Sequence, residues 1–165
     1  MRQAMHQAGL LLGSNIQPEK NIPLAVNLLH KKLTILQSSS VWESKTVGYD
    51  AANSLNAALL VLTSLEAESL KEQILNPLEA QLGRVRTSDK NAPRTIDLDI
   101  LVFDQQLMDS NLWQSAFRAV PLAEVLPDFQ SETGEHLKDA AFRLAHTTAI
   151  WLRKDVSINP FPNAP

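Results

Sequence analysis

The sequence predicts an α+β fold, on two observations. Apolar residues switch repeatedly between a period of two and a period near 3.6, and the switches run strand, helix, strand, strand, helix, strand with no internal repeat. "AGLLLGSN" is a short apolar run closed by Gly13, Ser14 and Asn15, the pattern of a buried strand ending in a turn. Ile22, Ala25, Val26, Leu29 and Leu33 then fall on one helical face, with Pro18 or Pro23 tolerable only near the helix start. "LTILQSSSVWESK" and "LNAALLVLTS" read as two strands, the second apolar enough to be central, joined by a polar loop with Gly48 and Tyr49. From Glu66 to Leu82 the period lengthens again, placing Leu70, Ile74, Leu78 and Leu82 inward, Gly83 as the cap and Pro77 as a kink. The last strand is "RTIDLDILVF".

This order predicts a ferredoxin-like βαββαβ core, an antiparallel sheet with both helices on one face. Helical additions should follow at "PLAEVLPDF" and "GEHLKDAAFRLAHTTAIWL". We expect a single domain over residues 1–158 and a loose proline-rich tail over 159–165.

Composition removes several classes of function. Of 165 residues 44% are hydrophobic and 20% charged, as in an ordinary globular chain, and the net charge of -3 is too small to attract nucleic acid or a membrane surface. Any anion site must therefore be local. The chain has no cysteine, so thiolate metal sites and disulfides are excluded, which suits a reducing compartment. Its start carries neither a signal-peptide nor a membrane-span pattern. We expect a cytoplasmic monomer.

The last strand holds the chemistry. Alternation sends Ile96, Leu98 and Ile100 to one face and Asp97 with Asp99 to the other. Neighbouring carboxylates repel and raise one another's pKa, so the pair costs stability unless a cation lies between them, and magnesium is the natural candidate. An isolated Asp-x-Asp is also what a solvated strand face looks like. Just upstream, Arg84, Arg86, Lys90 and Arg94 concentrate positive charge in an otherwise slightly acidic chain. They either form surface ion pairs with Glu79, Asp89 and the strand aspartates, or offer forked donors to phosphate. Carboxylates and arginines together favour a polyphosphate site.

"GRVR" followed by "KNAPRTIDLDIL" resembles the signature of the 6-hydroxymethyl-7,8-dihydropterin pyrophosphokinase family, which moves a pyrophosphoryl group from ATP to a pterin hydroxymethyl in folate synthesis. "GLLLGSN", "SLNAALLVLTSL", "LEAQLGRVR" and "VPLAEVLPDF" extend the resemblance over most of the chain from Gly9 to Phe129. It implies that Asp97 and Asp99 bind two magnesium ions and that Arg84 and Arg94 contact phosphate, with Arg86 assisting from a loop. Glu79, Lys90 and Ile100 would lie on the ATP side. Asn56 would read the pterin amide edge, Phe117 would stack on its ring, and Val47 would line the same subsite. The partners implied are the small molecules pterin and ATP.

The chain also departs from that family. Ser54 occupies the position of a second stacking aromatic, leaving Tyr49 or Trp42 as candidates for that wall, and Lys90 and Asn91 replace an arginine and a tryptophan. "DQQLMDSNLWQSAFRAVPL" lacks the family's histidine and arginine: Ser115 stands where the arginine is expected, and Arg118 lies just beyond Phe117, free to point elsewhere. Trp113 reads as core, and His6, His30, His136 and His146 are too scattered to replace the lost ligand. Two readings follow: a working pyrophosphokinase with a shortened phosphate loop, or a relative that binds pterin or nucleotide without turnover or serves another folate enzyme as a partner.

Overall fold

β1 (His6–Ser14) forms the middle of the molecule because its apolar side chains are buried on both faces of a sheet. In the computed structural model, which describes residues 4–45, 52–89 and 92–159, β1 lies between β4 (Ser54–Thr63) and β5 (Asp97–Phe103). All described pairings are antiparallel. The sheet runs β6 (Gln106–Leu107), β5, β1, β4, β3 (Trp42–Ser44), β7 (Ile150–Leu152), and β2 (Thr34–Ser38) also pairs with β4.

Each face of the sheet carries its own core. On one, Ala8, Leu10 and Leu12 of β1 meet Ile22, Val26 and Leu29 of α1 (Pro18–His30). The second helical segment covers the same face through Leu70, Leu75 and Leu78. On the other face, Leu11, Ala58 and Leu60 pack under α4 (Ala116–Val125) and α5 (Leu137–Thr147). Gly9 permits this second layer, because a Cβ there would come within 2.9 Å of the Leu122 side chain. The expected helices on one face and the C-terminal additions are thus both present, with the additions on the opposite side of the sheet.

Several boundaries differ from those expected. The single strand foreseen over "LTILQSSSVWESK" is broken between β2 and β3, where the Ser39 hydroxyl accepts from the Ala58 N–H at 2.8 Å and replaces a ladder carbonyl. At Pro77 the irregularity takes the form of a π-turn (Lys71–Leu75) between α2 (Ala67–Leu70) and α3 (Asn76–Gln81), since proline brings no N–H to the preceding turn. α4 begins at Ala116, well before "PLAEVLPDF", and ends at Val125 because Leu126 precedes Pro127 and leaves the helical region. The final helix stops at Thr147. Thr148 is extended, and Ile150–Leu152, expected as helix, pairs with β3 as β7. Among the described residues no helix is long and apolar enough to cross a membrane.

Candidate active site

Strand alternation assembles the site. Antiparallel register sets Gly13 opposite both Asn56 and Asp97, and Leu11 opposite Asp99, so these side chains share the α4 face of the sheet. Beyond the end of α4 that face is left uncovered, and a cavity of about 330 Å³ opens there, reaching Asn56, Arg94, Asp97, Asp99, Phe117 and Arg118. The alternation expected for β5 holds through Ile100. A bulge where β5 passes Gly9 and Leu10 then turns both Leu101 and Val102 toward the α4 core. Ile100 packs against the α1 core and does not reach this cavity.

The two aspartates are held unequally. Asp97 accepts from Arg84 Nη1 in a short contact and from Arg94 Nη1 at 3.0 Å. Burial pushes its pKa up, but those guanidiniums outweigh burial and hold it below the usual carboxylate range. Asp99 has no hydrogen-bond partner among the described residues. Burial first, then the charges of Asp97 and Glu79, push it up to about 6, against a smaller opposing pull from Arg118. The expectation that the carboxylates raise one another therefore holds for Asp99 and fails for Asp97, because guanidiniums reach only the latter.

Behind Asp97 lies Glu79, whose side chain is 3% exposed. It accepts from Arg84 at 3.0 Å, from Arg86 at 2.7 Å and from the Leu98 N–H at 2.8 Å. β6 pairs β5 only at Val102 and Phe103, so Glu79 takes over the ladder at this end of the strand. Burial raises the Glu79 pKa, and the Leu98 bond and the arginines oppose that rise. Gly83 makes the arrangement possible: at φ 86° it closes the helix with Gly83 N–H to Ala80 O and Arg84 N–H to Glu79 O, both 3.0 Å, which turns Arg84 back toward Glu79. Arg84 is 11% exposed and Arg86 61% exposed.

Two contributors were not singled out from the sequence. Gly13, read as a turn residue, lies in β1 with its missing side chain beside Asn56: a Cβ there would stand 2.8 Å from Asn56 Oδ1. Asn15 accepts from the Arg94 N–H at 2.8 Å and its own N–H donates to Arg94 O at 3.2 Å, latching the segment before β5 to the end of β1. Their only sequence signal was the "GSN" closing the first strand. Arg118 is a correction, for it does not point elsewhere but lines the cavity, 4.5 Å from the Phe117 ring centroid.

Other candidates fall outside the cavity. Trp42 is tied by its indole N–H to Glu124 at 2.8 Å and packs against the α4 core, so it supplies no second wall. Trp113 stacks on Phe129 at 5.8 Å, in the core as expected. Val47, Tyr49, Lys90 and Asn91 lie outside the described residues.

The donors suit magnesium. Among the described residues no group of three or more His, Cys, Asp or Glu is placed to hold a metal, so the described residues offer at most the two carboxylates here. Magnesium commonly takes one or two carboxylates and fills its remaining positions with water and phosphate oxygens. Asp99, half-buried and without a hydrogen-bond partner among the described residues, is the oxygen donor such an ion would satisfy.

Comparison with known proteins agrees with the geometry. The chain is 36% identical over 137 residues to the 2-amino-4-hydroxy-6-hydroxymethyldihydropteridine pyrophosphokinase of Bacillus subtilis, covering 76% of this chain and 81% of that one. To its Pseudomonas aeruginosa namesake it is 31% identical over 140 residues, covering 78% and 85%. In fold it resembles Plasmodium falciparum HPPK-DHPS, with a TM-score of 0.69 at 10% identity over 88% of this chain. It spans only 46% of that longer chain. A profile of the 7,8-dihydro-6-hydroxymethylpterin-pyrophosphokinase (HPPK) family matches residues 9–127, and with the two bacterial relatives this shows that the chain belongs to that family.

Proposed function

We propose that this protein transfers the pyrophosphoryl group of ATP to the hydroxymethyl oxygen of 6-hydroxymethyl-7,8-dihydropterin. The observation that carries this reading is the single cavity that gathers two strand carboxylates, Arg94, Asn56 and Phe117. In the transfer the hydroxymethyl oxygen forms a bond to the β-phosphorus and the bond from that phosphorus to the α–β bridging oxygen breaks. AMP leaves with the electron pair, and the hydroxyl proton passes to water.

The roles divide by chemistry. Phe117 stacks on the pterin, and Asn56 satisfies its amide edge, whose donors and acceptors need polar partners once water is excluded. Val47 completes that subsite. Arg94 and Arg84 meet phosphate oxygens as Asp97 releases part of its hold on them, and Arg86 joins from its exposed position. Glu79 holds Arg84 and Arg86 in place through their hydrogen bonds, while Lys90 serves the nucleotide side. Asp97 and Asp99 would hold magnesium, two ions on this reading, which would supply neutralisation of the triphosphate charge. We read the scaffold as a ferredoxin-like core in one domain over 1–158. The strand order β5, β1, β4, then β2 and β3, supports that reading. The absence of cysteine supports a cytoplasmic setting, and we take the working unit to be a monomer.

Product identity tests the proposal. With ATP, magnesium and the reduced hydroxymethylpterin, AMP and the pterin pyrophosphate should form in equal amounts. ADP in place of AMP, or nucleotide binding with no product, would overturn it.

A further inference from the structure

Arg118 breaks a local rule. It is the third residue of α4, at the positive end of the helix dipole, where acidic rather than basic side chains are stabilised. Its position is nevertheless tightly specified. Nε donates to Asp109 Oδ2 at 3.0 Å, Nη1 donates to the Ser115 hydroxyl at 3.0 Å, and the guanidinium lies over the Phe117 ring. Asp109 is itself fixed, its other oxygen accepting from the Asn111 N–H at 2.9 Å as the cap of the 3₁₀ turn Ser110–Gln114. Guanidinium carries five N–H donors. Asp109 and Ser115 use two of them, and among the described residues Nη2 donates to none. A cation pinned at the positive end of a helix, with donors unspent and facing a cavity, is arranged for an anion.

We infer that Arg118 binds an oxygen of the triphosphate from the α4 side of the cavity while Arg94 approaches from the β5 side, and that Ser115 and Asp109 are the residues that position it. This rests on the transfer reading above. It assigns a phosphate contact to a residue that the family signature does not mark. It also gives Ser115 a task as the acceptor that turns the guanidinium inward.

The test uses the full chain and two ligands titrated separately by calorimetry, magnesium α,β-methylene-ATP and 6-hydroxymethylpterin, together with AMP formation. Arg118→Met should weaken nucleotide binding at least tenfold and lower kcat/KM for ATP to a similar extent, with pterin affinity kept within twofold. Arg118→Lys keeps the charge without the fork and should fall between. Arg143→Met, which removes a charge from the exposed surface of α5, should behave as wild type. Unchanged nucleotide affinity in Arg118→Met, or pterin affinity falling as far as nucleotide affinity, overturns the inference. Should Arg118→Met not fold, Ser115→Ala decides: a loss of threefold or more in nucleotide affinity alone supports positioning, and no loss overturns it. A wild-type protein that binds nucleotide but makes no AMP overturns the transfer reading only, since the binding comparison still judges Arg118. One that binds no nucleotide overturns both.

Discussion

Asp97 and Asp99 stand two residues apart on one strand face, yet they have opposite effects on stability. Asp97 is paired, so Asp97→Asn removes the negative charge facing two guanidiniums, turns one of its two acceptor oxygens into a donor, and leaves Arg84 short of compensation where it is 11% exposed. Its cost should be about 2 kcal/mol in chemical denaturation near neutral pH. Asp99 is ionised against burial and like charge. With a folded-state pKa near 6 against an ordinary 3.8, its carboxylate is a burden above about pH 6 that fades as pH falls toward 4. Asp99→Asn should therefore stabilise the metal-free protein by about 1–2 kcal/mol at pH 7.5, a gain that shrinks toward zero near pH 4. Equal effects of the two substitutions would contradict the asymmetry. Gly13 offers a test of the pterin side. Gly13→Ala pushes a Cβ onto Asn56 Oδ1, so pterin affinity should fall about tenfold while nucleotide affinity and melting temperature change little.

Among the elements, the β5–β6 hairpin shows how a turn is tied to its surroundings. Asp104 and Gln105 both have positive φ, as a two-residue hairpin turn requires. Asp104 accepts from the Gln7 N–H at 2.9 Å and pairs with His6 Nδ1 at 2.6 Å, and His6 Nε2 lies 3.0 Å from Glu66. The hydrogen bond with Asp104 raises the His6 pKa above its ordinary 6.5 despite burial, and the same bond lowers Asp104 below 3.8. The histidine's contribution is complete below pH 6.5 and is lost as pH rises through its raised pKa. The aspartate's contribution is complete above pH 3.8 and is lost on acidification. The pair should thus add most between about pH 4 and 6.5. The melting-temperature gap between wild type and Asp104→Asn should peak in that window, and a gap that does not vary with pH would count against it. Local pattern made much of this legible. The period-two run from Ile96 to Ile100 announced both the strand and its acidic face, and Gly83 announced the cap that aims Arg84. The pattern could not reveal which aspartate the guanidiniums would reach, because that depends on Glu79 and the Gly83 turn meeting β5 in space. The expected helix fails over residues 148–152 because strand β7 is specified by its partner β3 and carries little signal of its own. Arg118 was expected to be free to point elsewhere because nothing in its immediate sequence sets it apart from a surface arginine.

Across the whole molecule, the sheet has a core on each face, and the site forms where the α4 layer ends and the sheet continues. α1 and the second helical segment support β1, β4 and β5 from below, while α4 presents Phe117 and Arg118 from above. Glu124 locks that layer to the sheet: its carboxylate accepts from the Ser40 N–H at 3.0 Å, the Ser40 hydroxyl at 2.9 Å and the Trp42 indole at 2.8 Å. After β7 the chain crosses back, and Ile158 is buried in the α1 core, close to the expected start of the tail. Ile158→Ala should cost about 2–3 kcal/mol without altering nucleotide affinity, as measured by urea unfolding and calorimetry. The central claim is that the molecule carries a half-buried carboxylate with no hydrogen-bond partner among the described residues, at a cost in stability, to hold a cation with its triphosphate. Calorimetric titration of magnesium α,β-methylene-ATP into wild type and Asp99→Asn at pH 7.5 tests it most directly. The account predicts at least tenfold weaker binding in the variant even though the variant is the more stable protein, and equal affinity in the two would contradict it.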